Sequence, residues 1–264
     1  VAVTERVALV TGGARGIGAA TVDALVSAGY GVVIVDRCSD LDGLSYSLAT
    51  DADLDAVLAR HGDAVRAVKG DVRDLPTMTE AVALAESVFG GLDVVVAGAG
   101  VATGGRRAWE TSTEEVDLNL SVNLNGIHVT AQAAVPALLR RGAPRSGRFI
   151  AIASAAGVMA NDLLAAYGAS KHAAAGYIRG LAADLGATGI TANAVLPGST
   201  GTALLEACAA FYDLDSVEEF AVHHLNERLL EPAEVAAAIC FLASPESSAI
   251  TGALIPVDGG MTAG

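Results

Sequence analysis

The chain is short of cysteine, of aromatic side chains and of positive charge, and each shortage excludes a class of protein. Its three cysteines, Cys38, Cys208 and Cys240, are odd in number and lie too far apart for a disulfide framework or a clustered metal site. Idle thiols in a reducing cytosol are expected, with no metal. Aromatic residues supply only 4% of a chain that is 52% apolar, so the core has to be built from Ala, Val, Leu and Ile. That suits a parallel sheet covered by helices. Sixteen Lys and Arg face thirty Asp and Glu, and the formal charge of -14 repels phosphate backbones and anionic lipid. A small molecule is expected as the partner, with no nucleic acid and no membrane. No basic segment followed by a long apolar run opens the chain at Val1–Arg6, which reads as untargeted and cytoplasmic. Pro-rich linkers, charge blocks and repeats are missing too, and residues 1–264 read as a single domain.

What the chain does have is a rhythm. Short apolar runs recur at Val7–Val10, Val32–Val35, Val65–Val68, Leu92–Ala97, Phe149–Ala153, Ile190–Val195 and Ala253–Val257, with alanine-rich stretches of helical length between them. Strand and helix alternating in this way cross over right-handed, and predict an α/β, Rossmann-type doubly wound parallel sheet of about seven strands with helices on both faces. The segment 198–230 breaks the rhythm with mixed polarity where such a sheet opens its crevice. A mobile helical lid over the substrate is expected there.

The first strand runs into Thr11-Gly12-Gly13-Ala14-Arg15-Gly16-Ile17-Gly18, and a helix continues from Ala19. Glycines at these positions permit a tight turn and close approach of the backbone, so that a pyrophosphate can rest on the helix N-terminus. Taken alone, the cluster is a weak signal, with an ordinary strand-to-helix turn as its plain alternative. The second strand, however, ends at Asp36, whose carboxylate can accept from both adenosine ribose hydroxyls and repel a 2′-phosphate. NAD is expected over NADP. Arg15 and Arg37 stand against this, because either guanidinium could grip a phosphate.

Tyr167-Gly168-Ala169-Ser170-Lys171 forms a YxxxK motif, with Ser154 thirteen residues upstream and Asn123 earlier still. Each has a bland reading, as an amphipathic helix pair, a strand-end polar residue and a helix-interior amide. Their order after a TGxxxGxG turn resembles the short-chain dehydrogenase/reductase family over nearly the whole chain. The resemblance implies that Tyr167 is the general acid/base, that Ser154 orients the substrate oxygen, that Lys171 tunes Tyr167, and that Asn123 supports a proton-relay water. It also implies Asp71 and Val72 near the adenine, Ala97 and Gly98 beneath the cofactor, Pro197 and Gly198 at the nicotinamide face, and Thr202 at its carboxamide. Together with Gly12, Arg15, Gly16, Ile17, Gly18, Asp36, Arg37, Tyr167 and Lys171, these form the expected cofactor site. Independently of the resemblance, positions 167 and 171 lie one helical turn apart and share a face. A free phenol with a pKa of about 10 needs a nearby positive charge to act as a base near neutrality.

Two departures accompany the resemblance. The family commonly ends its fourth strand in an Asn-Asn-Ala-Gly sequence, whereas this chain has Ala97-Gly98-Ala99-Gly100, without the amides that would tie the sheet centre together. The stretch 38–62 is longer than usual, with Leu44-Ser45-Tyr46-Ser47-Leu48-Ala49-Thr50 ahead of a predicted helix Asp51–Arg60. That insertion resembles the mycofactocin-associated, carveol dehydrogenase-like subgroup, which implies NAD held through turnover and reoxidised in place by a mycofactocin redox partner. The plain alternative is a surface insertion without a role.

His223 and His224 are adjacent and lack companion ligands, so a metal is not expected, and His128 and His172 read as helix residues. The leading functional expectation is hydride transfer between NAD and an apolar or cyclic secondary alcohol or ketone. The alternatives are a 3-oxoacyl-thioester reductase using NADPH and a non-catalytic dinucleotide sensor. The family resemblance implies a homotetramer or dimer, packed through alanine-rich helices around Asn119–Leu139 and Leu163–Leu185.

Overall fold

The computed structural model describes residues 6–263; Val1–Glu5, on which the reading of an untargeted start rests, lie outside the described residues. Seven strands are present: β1 (Arg6–Thr11), β2 (Tyr30–Asp36), β3 (Val65–Lys69), β4 (Val94–Ala97), β5 (Arg148–Ile152), β6 (Thr191–Pro197) and β7 (Leu254–Val257). All pair in parallel, in the order β3-β2-β1-β4-β5-β6-β7. Strand order reverses between β1 and β4, and the crevice beyond their carboxyl ends is where ligands of such sheets bind.

The apolar runs do not alternate because both faces of the sheet are covered. On one face α1 (Gly16–Ser27), α2 (Asp51–His61) and α8 (Pro232–Ala243) bring Leu25, Leu54, Val57 and Ile239 against Ala8, Val10, Val32 and Ile34. On the other, α3 (Leu75–Phe89), α5 (Gly126–Arg140) and α6 (Ala165–Asp184) set Met78, Ile127, Leu138 and Ile178 against Val7, Leu9, Val33 and Phe149. Full burial of each such side chain is worth roughly 1.5–3 kcal/mol. Local chemistry sets the helix ends. Asp74 caps α3 by accepting from the Thr77 amide at 3.0 Å, and the helix stops at left-handed Gly90.

The structure revises two expectations. The helix anticipated around Asn119–Leu139 is two, α4 (Thr113–Leu120) and α5, joined by a π-helical turn over Ser121–Asn125. That wider turn holds the Asn123 amide against the backbone of Val101, donating to its carbonyl and accepting from its N–H, both at 2.9 Å. At the sheet centre, the amides missing after β4 are replaced by one hydroxyl. Thr11 Oγ1 accepts from the backbone N–H groups of Gly98 and Ala99 at 3.0 and 3.2 Å, tying β1 to the end of β4. The segment 198–230 is helical as anticipated, with α7 (Ala203–Phe211) and a 3₁₀ turn at Val217–His223.

Candidate active site

The glycine turn at the crevice accepts no side chain. A Cβ on Gly12 would lie 2.8 Å from the Ala99 backbone, and one on Gly18 would sit 1.9 Å from the Gly12 carbonyl oxygen; Gly16 has φ +57°. Backbone can therefore approach closely where a bulky ligand must lie against it. α1 begins here with no side-chain cap on its first amides, leaving them for an anion. Asp36 ends β2 beside the turn, its carboxylate accepting from the Ala14 N–H at 3.0 Å and the Cys38 N–H at 3.3 Å.

The two arginines that argued for a phosphate grip are engaged elsewhere. Arg37 and Arg73 both pair with Asp71 at 2.6 Å. Burial by itself would raise the Asp71 pKa, but hydrogen bonds from Arg73, its charge and the hydrogen bond from Arg37 hold it down to about 2. Arg15 donates to the Ser47 carbonyl at 2.8 Å. Neither guanidinium pairs with Asp36, whose carboxylate is held by backbone amides.

Ser154 follows β5, and Tyr167 and Lys171 stand one turn apart on α6, both buried. Ser154 and Tyr167 line the same cavity, with Ser154 near enough to the phenol to ease its ionisation. Burial pushes the Tyr167 pKa up and Ser154 pulls part of that back, while burial pulls Lys171 down to about 8. The Lys171 ammonium lies 5.6 Å from the centre of the tyrosine ring and donates to the Ile152 carbonyl at 3.2 Å. Asn123 donates to Ser170 Oγ at 2.8 Å, and Ser170 donates in turn to the Tyr167 carbonyl at 2.7 Å. A Cβ on Gly100 would come within 3.1 Å of Asn123 Oδ1 and 3.3 Å of Lys171 Nζ, so this glycine keeps the gap between them open.

One cavity of about 1130 Å³ joins these parts. Gly12, Arg15, Gly16, Ile17, Gly18, Asp36, Arg37, Asp71 and Val72 line one end, and Gly98, Ser154, Tyr167, Lys171, Pro197, Gly198 and Thr202 the middle. Ala97 and Asn123 lie behind the wall and are not part of the lining. Thr202 caps α7, its hydroxyl near the Leu205 amide at 3.4 Å, with its methyl group facing Gly16. His224 has a structural place, with Nε2 accepting from the Ser199 N–H at 3.0 Å and Nδ1 on the Arg228 carbonyl at 2.7 Å. Among the described residues no three His, Cys, Asp or Glu side chains converge as a metal site.

Sequence reasoning missed Thr11, Gly100, Ser170 and Tyr46 as site residues. Tyr46 lines the cavity from within the 38–62 insertion and accepts from the Ala102 N–H at 2.9 Å. Its only sequence signal is a lone aromatic among serines, which does not say what it reaches.

A doubly wound sheet with a glycine turn at its switch point and a Ser–Tyr–Lys group across the same cavity defines a dinucleotide-dependent oxidoreductase. The chain belongs to the short-chain dehydrogenase/reductase family. A family profile described as Enoyl-(Acyl carrier protein) reductase matches residues 12–262. The chain is 38% identical to the short-chain reductase protein NovJ of Streptomyces niveus, over 97% of this chain and 94% of that one. It is 35% identical to a trans-4-hydroxycyclohexanecarboxylate dehydrogenase of Sinomonas cyclohexanicum, over 99% and 95%. The crystal structure of carveol dehydrogenase from Mycobacterium avium in complex with NAD superposes with a TM-score of 0.92 at 30% identity, covering 99% of both chains. Among the described residues no helix is long and apolar enough to cross a membrane.

Proposed function

We propose that this chain is a cytoplasmic NAD-dependent dehydrogenase that oxidises an apolar or cyclic secondary alcohol to its ketone. The observation that carries this reading is the company the Ser154, Tyr167 and Lys171 group keeps: the cavity wall includes Met159, Leu164, Leu204, Leu205, Leu214 and Phe220, with Asp162, Glu219 and His223 as polar members from the same segments. Such a chamber favours an uncharged apolar substrate with one oxygen to be recognised.

NAD, when bound, supplies the acceptor for the hydride that leaves the alcohol carbon. The turn at Gly12, Gly16 and Gly18 would hold its pyrophosphate and Asp36 its adenosine ribose hydroxyls, with Asp71 and Val72 towards the adenine and Pro197, Gly198 and Thr202 towards the nicotinamide. Tyr167 takes the hydroxyl proton as the carbonyl forms, and Ser154 donates a hydrogen bond to the same oxygen. Lys171 stabilises the tyrosinate and would hold the nicotinamide ribose, while Asn123 positions the helix that carries the lysine's neighbour Ser170. A sensor that only bound nucleotide would have no need of all three catalytic groups. A 3-oxoacyl-thioester reductase using NADPH would need a cation facing the 2′ position, where Asp36 stands instead.

The insertion 38–62 contributes Leu41, Tyr46, Leu48 and Ala49 to the cavity wall, which favours a cofactor retained through turnover, and its reoxidation would fall to a mycofactocin partner. A loop tied at both sides of a cleft lowers the off-rate of what lies beneath it. The 198–230 segment is the lid of the chamber, and the single domain assembles as a homotetramer. The deciding experiment denatures the purified protein, identifies the released nucleotide by mass spectrometry, and repeats this after prolonged dialysis against excess NADP. NAD that survives dialysis, with alcohol oxidation on adding an artificial electron acceptor, supports the whole reading. An empty site, or one filled with NADP, overturns the held-cofactor part.

A further inference from the structure

The segment 38–50 between β2 and α2 forms no strand or helix and is held in place at a few points. Asp40 Oδ1 accepts from the Leu48 N–H at 2.9 Å, the Ser47 carbonyl accepts from Arg15 at 2.8 Å, and the Tyr46 hydroxyl accepts from the Ala102 N–H at 2.9 Å. The first contact closes the strap on itself, and the second ties it to the glycine turn. The third crosses the cleft and ends at the catalytic wall. Ala102 is fully buried and packs in one cluster with Ala156, Leu164 and Tyr167. The residue before it, Val101, has its N–H and C=O both held by the Asn123 amide. Asn123 and Tyr46 therefore fix adjacent residues of one backbone segment, beside the general base.

Tyr46 is more than a pin by its position. It lines the same cavity as Tyr167 and Cys208, and the three are near enough that negative charge on one opposes ionisation of another. Burial, ahead of every other influence, pushes its pKa up to about 12, so the phenol stays neutral at any working pH. Its hydroxyl is held at Ala102, within electrostatic reach of both Arg15 of the glycine turn and Cys208 of α7, which places it between the two parts of the cavity. An aromatic ring held by its hydroxyl at such a junction limits how far a ring-shaped substrate extends towards the strap.

We propose that Tyr46 is a specificity-determining residue: the strap lends its ring to the substrate chamber, and the Ala102 contact sets where that wall stands. This rests on the alcohol dehydrogenase reading and adds that ring size is selected by a residue of the insertion. The test compares wild type, Y46A, Y46F and D40A, the last cutting a strap contact that does not involve Tyr46, at a residue outside the cavity lining. The alcohols are cyclopentanol, cyclohexanol and cyclooctanol.

Y46A is expected to raise the kcat/KM ratio of cyclooctanol to cyclohexanol by about tenfold or more, the scale on which pockets discriminate added methylenes. Y46F keeps the ring and loses its anchor, and is expected to raise KM with little change in kcat, as loss of uniform binding does. D40A is expected to leave the size ratio unchanged. Calorimetric binding of the same alcohols to the NAD-loaded chain gives a second set of ratios. Binding whose size ranking depends on Tyr46, without turnover, overturns the dehydrogenase reading and keeps this one. Turnover in which Y46A and D40A change every alcohol by the same factor does the reverse, leaving Tyr46 as a strap anchor only.

Discussion

Asp36 shows how one side chain sets a preference that a fold leaves open. Its carboxylate holds the Ala14 and Cys38 amides, and the nearby Arg37 is neutralised by Asp71. D36N removes the charge while leaving an oxygen for the Ala14 amide. NAD affinity should fall about tenfold, the value of one charge-assisted hydrogen bond, and NADP should begin to bind. Calorimetric titration with both dinucleotides measures this, and continued rejection of NADP would locate the discrimination elsewhere. Lys171 tests burial instead of specificity. Its folded pKa of about 8 lies below the ordinary value of 10.5, so the unfolded chain binds more protons between these pH values. Stability owed to this group therefore rises with pH across that window, by roughly 3 kcal/mol, and is lacking below pH 8. K171M should melt higher than wild type at pH 7, with the gap closing towards pH 10.5, a comparison in which the other titrating groups cancel. That Tyr167, Lys171, Ser154 and Asp36 would line one cavity was legible in the sequence, because their order and spacing carry the family resemblance. Tyr46 was not, because its meaning lies in a hydrogen bond to a residue 56 positions away.

Among the elements, the seven strands were legible because burial on both faces leaves uninterrupted apolar runs, and the start of α1 because only glycine fits there. The break between α4 and α5 was hidden. The π turn at Ser121–Asn125 accompanies contacts of Asn123 with Val101, and nothing in the local sequence anticipates that partner. The amide-poor end of β4 misled for a similar reason, since the hydroxyl that replaces the missing amides belongs to β1. The turn into α1 gives the sharpest element-level prediction. A methyl on Gly18 would meet the Gly12 carbonyl at 1.9 Å, and both partners are backbone, so the turn itself has to move. G18A should cost about 3 kcal/mol through overpacking, and should abolish dinucleotide binding even where the sheet survives. Thermal melting paired with nucleotide content of the purified variant separates the two effects. A variant that melts lower yet still carries its nucleotide would show that the turn yields without opening the pyrophosphate site.

For the whole molecule, the deciding quantity is the formal charge of -14. Sixteen Lys and Arg cannot neutralise thirty Asp and Glu, so an acidic excess remains however completely the cations pair. Salt acts on this balance in two directions. It screens the repulsion among unpaired carboxylates, which stabilises the compact chain, and it weakens ion pairs such as Arg60–Asp23, Arg140–Glu86 and Arg228–Glu234, which destabilises it. These pairs are exposed, and pairs of that kind are each worth about 0–1 kcal/mol. Repulsion summed over the acidic excess is the larger effect, and any homotetramer brings four such surfaces together and strengthens it. The melting temperature at pH 7 should therefore rise as NaCl goes from 10 to about 200 mM, where the screening length shortens to less than 10 Å. Light scattering over the same series should show association favoured by salt. A melting temperature that falls with salt would mean that the ion pairs outweigh the repulsion, and that the acidic surface is arranged to be tolerated without counterions.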